Sequence, residues 1–222
     1  MIVADNAAGD ARLSSVAVLG GTFDPIHFGH LRSALELRER LGCEQLRLVP
    51  SHRPPHRDEP AANAAQRLRM AELAVAGEAG LCVDARELDR TGPSYTIDTL
   101  TELRAELGPR CALHLAMGMD AFAELDSWQR WRELLDYAHI IVIARPDCAL
   151  PQRGAVAELL AERCVDIAAL RNRAAGCIAV LQLTPLPISA TAIRTLIRAG
   201  RSPRYLLPDA VYTFIREQHL YV

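Results

Sequence analysis

The chain has 222 residues, half of them hydrophobic, and a formal net charge of −2. That length supports one well-buried core, and the near-neutral balance excludes the broad basic field of a nucleic-acid binder. No apolar run approaches the ~20 residues needed to span a membrane, so no membrane partner is expected.

Lysine is absent, and all 25 basic positions are arginine. A lysine P-loop and Schiff-base chemistry are therefore impossible, and any phosphate must be held by arginine, histidine and backbone N–H groups. Six cysteines, Cys43, Cys82, Cys111, Cys148, Cys164 and Cys177, include no C-x-x-C pair. They read as reduced, buried thiols of a cytoplasmic protein, and their spacing gives no zinc site.

Residues 1–14 lack the charged start and apolar core of a secretion signal and read as a flexible leader. The rest, 15–222, reads as a single domain. Strands are predicted at Val16–Leu19, Gln45–Val49, Leu81–Asp84, Ala112–Met117, Ile140–Ala144 and Ile178–Leu183. Helices are predicted at Leu31–Leu41, Ala65–Ala76, Ile97–Leu107, Trp131–Leu135 and Ala155–Ala161. Two more close the chain: Ala190–Ala199, ended by Gly200, and Pro208–Gln218 with Pro208 in its first turn. Strand starts recur at roughly the length of a βαβ unit. The expected fold is α/β: a doubly wound parallel sheet with C-terminal helices and a ligand at the carboxyl ends of its strands. The proline-rich stretch Ser51–Asn63 reads as a substrate loop.

The first strand runs into Gly20-Gly21-Thr22-Phe23-Asp24-Pro25-Ile26-His27-Phe28-Gly29-His30. Paired glycines let a backbone approach a ligand closely, and the N–H groups of a helix start face an anion. His27 and His30, three apart, add donors to the same spot. This is a phosphate cradle. The dinucleotide fingerprint G-x-G-x-x-G is missing, which disfavours a nicotinamide-dependent dehydrogenase. H-x-x-H also suits zinc, but no third ligand stands at a sensible spacing, so no metal ligand is assigned.

A second constellation is Ile188-Ser189-Ala190-Thr191-Ala192-Ile193-Arg194. Ser189 is placed to cap the helix, and Thr191 and Arg194 share a face. By itself this is an ordinary capped helix with a solvated arginine. Paired with the glycine turn it becomes a second phosphate clamp.

Both motifs, in order, resemble those of the HIGH-type nucleotidylyltransferases, and within them the bacterial nicotinate-nucleotide adenylyltransferases. That family carries G-G-T-F-D-P-x-H-x-G-H and I-S-[SA]-T-x-x-R. Val49-Pro50-Ser51, Pro54-Pro55-His56, Gln66-Arg67, Arg86-Glu87, Ser94-Tyr95-Thr96-Ile97-Asp98-Thr99-Leu100, Gly118-Met119-Asp120, Trp128, Arg145-Pro146 and Leu207–Tyr212 are similar too. The resemblance runs from about Ser15 to the end of the sequence. The pantetheine-phosphate adenylyltransferases usually have threonine where His27 stands. Two departures are visible: Ala190 where many relatives have serine, and Asp147 where glycine is common.

The resemblance implies a Rossmann-like nucleotidylyltransferase fold. It implies an adenylyltransferase of NAD biosynthesis joining ATP and nicotinate mononucleotide to give deamido-NAD and pyrophosphate. Transfer would be direct and in line, since the attacking phosphate is already an anion. His27, His30 and Arg194 would be catalytic. ATP would contact Gly20, Gly21, Thr22, Phe23, Asp24, Gly29, Gly118, Asp120, Ile188, Ser189 and Thr191, with Mg²⁺ carried on the triphosphate. Nicotinate mononucleotide would contact Arg53, His56, Ser94, Tyr95, Thr96, Trp128 and Arg145. Several of these have plainer readings. Ser94 or Thr96 could cap Ile97–Leu107, Trp128 could belong to the core, Asp120 could cap a helix, and Arg53 and His56 could be solvated. Two rivals stand: an enzyme for another phosphate-bearing acceptor, such as nicotinamide mononucleotide or phosphopantetheine, and a nucleotide sensor without turnover. Intact His27, His30 and Arg194 argue against the sensor. A monomer and a homo-oligomer both fit.

Overall fold

In a computed structural model, residues 13–52, 59–144 and 149–222 are described. Arg53, His56, Arg145, Asp147, Cys148 and residues 1–12 of the expected leader lie outside them.

The chain opens with β1 (Ser15–Gly21), α1 (Phe28–Leu41), β2 (Gln45–Pro50), α2 (Ala64–Val75) and β3 (Leu81–Val83). It continues with α3 (Thr96–Leu107), β4 (Ala112–Gly118), α4 (Met119–Ala123), α5 (Leu134–Tyr137), β5 (His139–Ala144) and α6 (Ala155–Arg163). β6 (Ile178–Gln182), α7 (Ala190–Arg198) and α8 (Asp209–Glu217) complete it. The six strands form one sheet in the order β3-β2-β1-β4-β5-β6. All five pairings are parallel. The order reverses between β1 and β4, so the crevice for a ligand opens at their carboxyl ends.

Alternation along the strands feeds two apolar layers, one on each face. Ala17 and Leu19 of β1 join Leu46 and Leu48 of β2 and the inner faces of α1, α2, α7 and α8. Val16 and Val18 join Leu113 and Leu115 of β4 and the inner face of α3. A sheet covered on both sides explains why its strands read as continuous apolar runs.

The expected strands are present, with β1 and β4 each running on into a glycine. Three readings need correction. Neither Ser94 nor Thr96 caps α3; its N-cap is Tyr95, with no side-chain bond. The helix expected at Trp131–Leu135 is a 3₁₀ turn, Trp131–Glu133, leading into α5. Pro208 is the N-cap of α8 and not part of its first turn. The thiols also differ from expectation in part: Cys43, Cys111 and Cys177 are buried, but Cys164 is exposed.

Candidate active site

The glycines of the first turn serve different ends. A Cβ on Gly21 would lie 2.7 Å from Cε1 of Phe23, because that ring folds back beneath the turn and is buried. Phe23 itself sits in the left-handed region at φ 51°. A Cβ on Gly29 would lie 3.0 Å from the His27 ring and 3.4 Å from the Ile188 carbonyl oxygen. Gly20 and Gly118, at the ends of β1 and β4, face open space instead. Two glycines therefore close the turn, and two leave the mouth of the crevice free for a ligand.

His27 is the N-cap of α1, and its carbonyl accepts from the His30 N–H at 2.9 Å. The two imidazoles stack, with ring centroids 3.8 Å apart and planes at 23°. His30 meets the Phe23 ring edge-on at 5.1 Å. Burial lowers the His27 pKa to about 4. Burial, and then the positive charge of His27, lower that of His30 to about 3. Both rings are thus neutral at pH 7, each with one N–H and one lone pair. Unpartnered buried polar atoms lie along the turn and the segments bonded to it: Nδ1 of His27, His30 and His52, Oγ of Ser51 and Nε of Arg67. Buried polar atoms without partners cost stability, so such a cluster marks a place where a polar ligand completes the bonding.

The second motif reaches the first. Arg194 donates from Nη1 to the Asp24 carbonyl at 2.6 Å and from Nη2 to Thr191 Oγ1 at 3.3 Å. Nη1 also lies 3.8 Å from the Asp24 carboxylate. Ser189 caps α7, accepting from the Ala192 N–H at 3.2 Å. The expected cap and the expected shared face of Thr191 and Arg194 are both present.

Asp24 ties the turn to the residues leading into α2 and to the C-terminal residues. Its buried carboxylate accepts from Ala61 N–H at 2.8 Å, Ala62 N–H at 3.1 Å and the Tyr221 hydroxyl at 2.6 Å. Both oxygens are committed to donors, so this carboxylate is not disposed to ligate a cation. Among the described residues, no group of three or more His, Cys, Asp or Glu could hold a metal ion. The Thr22 carbonyl accepts from Arg67.

Arg67 escaped the sequence reading of the site. Its side chain is 1% exposed. It donates to Thr22 O at 2.8 Å, Ser51 O at 2.7 Å and His52 O at 3.3 Å. It thereby joins the ends of β1 and β2 to α2. Beyond the family resemblance of Gln66-Arg67, its signal in the sequence is position: it shares the inner face of α2 with Met70 and Ala71, where an arginine is out of place.

On the other side of the crevice, the Ser94 hydroxyl accepts from the His52 N–H at 3.3 Å. It also bonds Glu87, which takes a further bond from Thr99 Oγ1 at 2.7 Å. Burial pushes the Glu87 carboxyl up. Ser94 is therefore a strut between the loop after β2 and the start of α3. Thr96 begins that helix, and with no side chain over it the first N–H groups of α3 are left for another acceptor. Tyr95 and Trp128 are half-buried and pack on the same apolar layer. Asp120 lies exposed in the first turn of α4, next after Met119.

The cytidylyltransferase-like family model matches residues 18–196, which defines the class: a nucleotidyl-transferring α/β domain. The probable nicotinate-nucleotide adenylyltransferase of Marinobacter nauticus is 54% identical over 92% of this chain and 95% of its own. That of Pseudomonas aeruginosa is 51% identical over 93% and 96%. Plasmodium falciparum nicotinic acid mononucleotide adenylyltransferase complexed with NaAD shares the fold, with TM-score 0.69 and 16% identity over 94% of this chain and 97% of that one. The chain belongs to the nicotinate-nucleotide adenylyltransferase family.

Proposed function

We propose that the protein transfers the adenylyl group of ATP to nicotinate mononucleotide, releasing pyrophosphate and deamido-NAD. The observation that carries this reading is the junction at Asp24. There a neutral histidine pair with unpartnered nitrogens meets the arginine of a second, capped helix start.

ATP lies across that junction. The α-phosphate faces the N–H donors of His27 and His30. The β- and γ-phosphates face Arg194, Thr191 and the first turn of α7. ATP enters with Mg²⁺ carried by its phosphates and by water, which suits a site whose turn carboxylate, Asp24, is already engaged. An oxygen of the acceptor's phosphate forms the new bond to the α-phosphorus. The bond from that phosphorus to the β-bridging oxygen breaks, and its electron pair leaves with pyrophosphate. No side chain need act as nucleophile or base. Catalysis is positioning, plus hydrogen bonds that tighten as charge builds on the α-phosphate oxygens.

The acceptor lies between the loop after β2 and α3. Arg53 and His56, and Arg145 beyond β5, are taken to meet its phosphate. The uncapped start of α3 at Tyr95–Thr96 receives the pyridine carboxylate, and Trp128 stacks on the ring. Such an enzyme works in the cytoplasm, where ATP and mononucleotides are held.

Pyrophosphate release with ATP and each of three acceptors tests the reading. Nicotinate mononucleotide should exceed the nicotinamide form by at least ~10²-fold in kcat/KM, because the amide leaves donors at α3 unpaired. Trp128→Ala should weaken both pyridine substrates alike. Equal efficiency with acid and amide would overturn acid selection. Release with phosphopantetheine alone would overturn the acceptor class.

A further inference from the structure

We propose that Tyr221 is a positioning residue for the triphosphate, acting through Asp24 to fix the Arg194 guanidinium. This rests on the reading of Arg194 as the ligand of the leaving phosphates.

Tyr221 follows α8 and is 7% exposed. Its backbone sits in the left-handed region at φ 64°. A bulky side chain stays there only where its surroundings over-determine it. The phenol meets Asp24 Oδ1 at 2.6 Å. Burial, and then the hydrogen bond and charge of Asp24, push the phenol pKa far up, so the hydroxyl stays protonated and donates.

The Asp24 carboxylate is thus pinned from two sides. Tyr221 and the Ala62 N–H hold Oδ1, and the Ala61 N–H holds Oδ2. Pinned this way, Oδ2 stays 3.8 Å from Arg194 Nη1, while Nη1 keeps its 2.6 Å bond to the Asp24 carbonyl. The guanidinium is held by one strong main-chain bond, a longer bond from Nη2 to Thr191 Oγ1 and one loose ion pair, and its remaining N–H groups are left for phosphate. Without the phenol, only the two amides of Ala61 and Ala62 hold the carboxylate, and it turns more readily toward the guanidinium and draws it off the triphosphate. A charge-assisted bidentate pair is the stronger arrangement for those two groups. The Tyr221 hydroxyl therefore keeps Asp24 and Arg194 from pairing too well.

The test is ATP binding by calorimetry without acceptor, in wild type, Tyr221→Phe, Arg194→Gln and the double variant. Tyr221→Phe should weaken ATP by roughly fivefold to tenfold in the wild-type background. In the Arg194→Gln background it should weaken ATP by less than about twofold, since coupled residues are non-additive. In turnover, KM for ATP should rise while KM for the acceptor holds. Equal weakening in both backgrounds, or unchanged ATP affinity, overturns the proposal. Thermal melts verify folding, and Tyr221→Leu replaces the phenylalanine variant if that one does not fold. ATP binding needs no acceptor. A wild type that binds ATP but releases no pyrophosphate with nicotinate mononucleotide would thus sink the proposed function and leave this cycle readable.

Discussion

Neutrality decides how His27 and His30 can work. With pKa values near 4 and 3, neither brings a positive charge to ATP at pH 7. In the proposed reaction they act as directional N–H donors, and Arg194 supplies the formal charge. Each role has its own variant. His30→Ala should lower kcat by roughly 10²-fold or more, the scale for losing a transition-state donor. Saturating steady-state rates measure this, and near-normal turnover in a folded variant would remove His30 from the chemistry. Arg194→Lys keeps the charge but loses the fork that reaches the Asp24 carbonyl and Thr191 together. It should retain a measurable fraction of kcat/KM for ATP, and Arg194→Ala should retain little. Wild-type values for both would reduce α7 to an ordinary capped helix.

At the scale of elements, Arg67 shows what an α2 side chain does for the crevice. Arg67→Met keeps the stem's volume but strips donors from three main-chain carbonyls. The cost should be about 3 kcal/mol or more, as each buried group left unsatisfied costs about 1–3 kcal/mol. Urea unfolding measures it, and a loss under about 1 kcal/mol would show that water satisfies those carbonyls instead. The strands were legible because a doubly covered parallel sheet leaves unbroken apolar runs punctuated by glycine. Both phosphate motifs were legible because each is local: a turn within eleven residues and a cap within three. Arg67 was not, because its partners at Thr22, Ser51 and His52 are distant in sequence. The α3 cap misled for a similar reason. Ser94 and Thr96 both have the right chemistry, but Ser94 is drawn away by Glu87 and the backbone of His52. α4, at five residues, is too short to show a helical period.

For the molecule as a whole, the buried histidines set the response to acid. His114 stacks on His139 at the amino ends of β4 and β5, with centroids 5.2 Å apart. Burial, and then His139, lower the His114 pKa to about 3. Burial also lowers His139, whose Nε2 meets the Arg173 carbonyl at 2.9 Å. With His27 and His30, three imidazoles in the native state stay unprotonated well below the ordinary 6.5, and His139 is shifted in the same direction. The unfolded chain takes up protons near pH 6.5 that the native state refuses. Stability from these groups is therefore complete above pH 6.5 and is lost as pH falls below it, for His27, His30 and His114 down toward 4 and by up to about 1.4 kcal/mol per pH unit for each of those three. Glu87 has the opposite sign. Its raised carboxyl contributes stability below its unfolded value of 4.5 that is lost as pH rises through the native value. One carboxyl cannot offset four imidazoles, so the urea midpoint should fall between pH 7.5 and 5.5. A constant or rising midpoint would mean that the histidines protonate in place.

The bond from Arg194 to the Asp24 carbonyl joins residues 170 apart in the chain. During synthesis, at roughly 5–20 residues per second, the phosphate turn leaves the ribosome some ten to thirty seconds before its clamp. On the proposed mechanism, the newborn protein has for that interval His27 and His30 and no Arg194 to receive pyrophosphate. Ribosome-bound chains stalled before residue 194 should therefore hold ATP poorly, however well β1 and α1 have already folded.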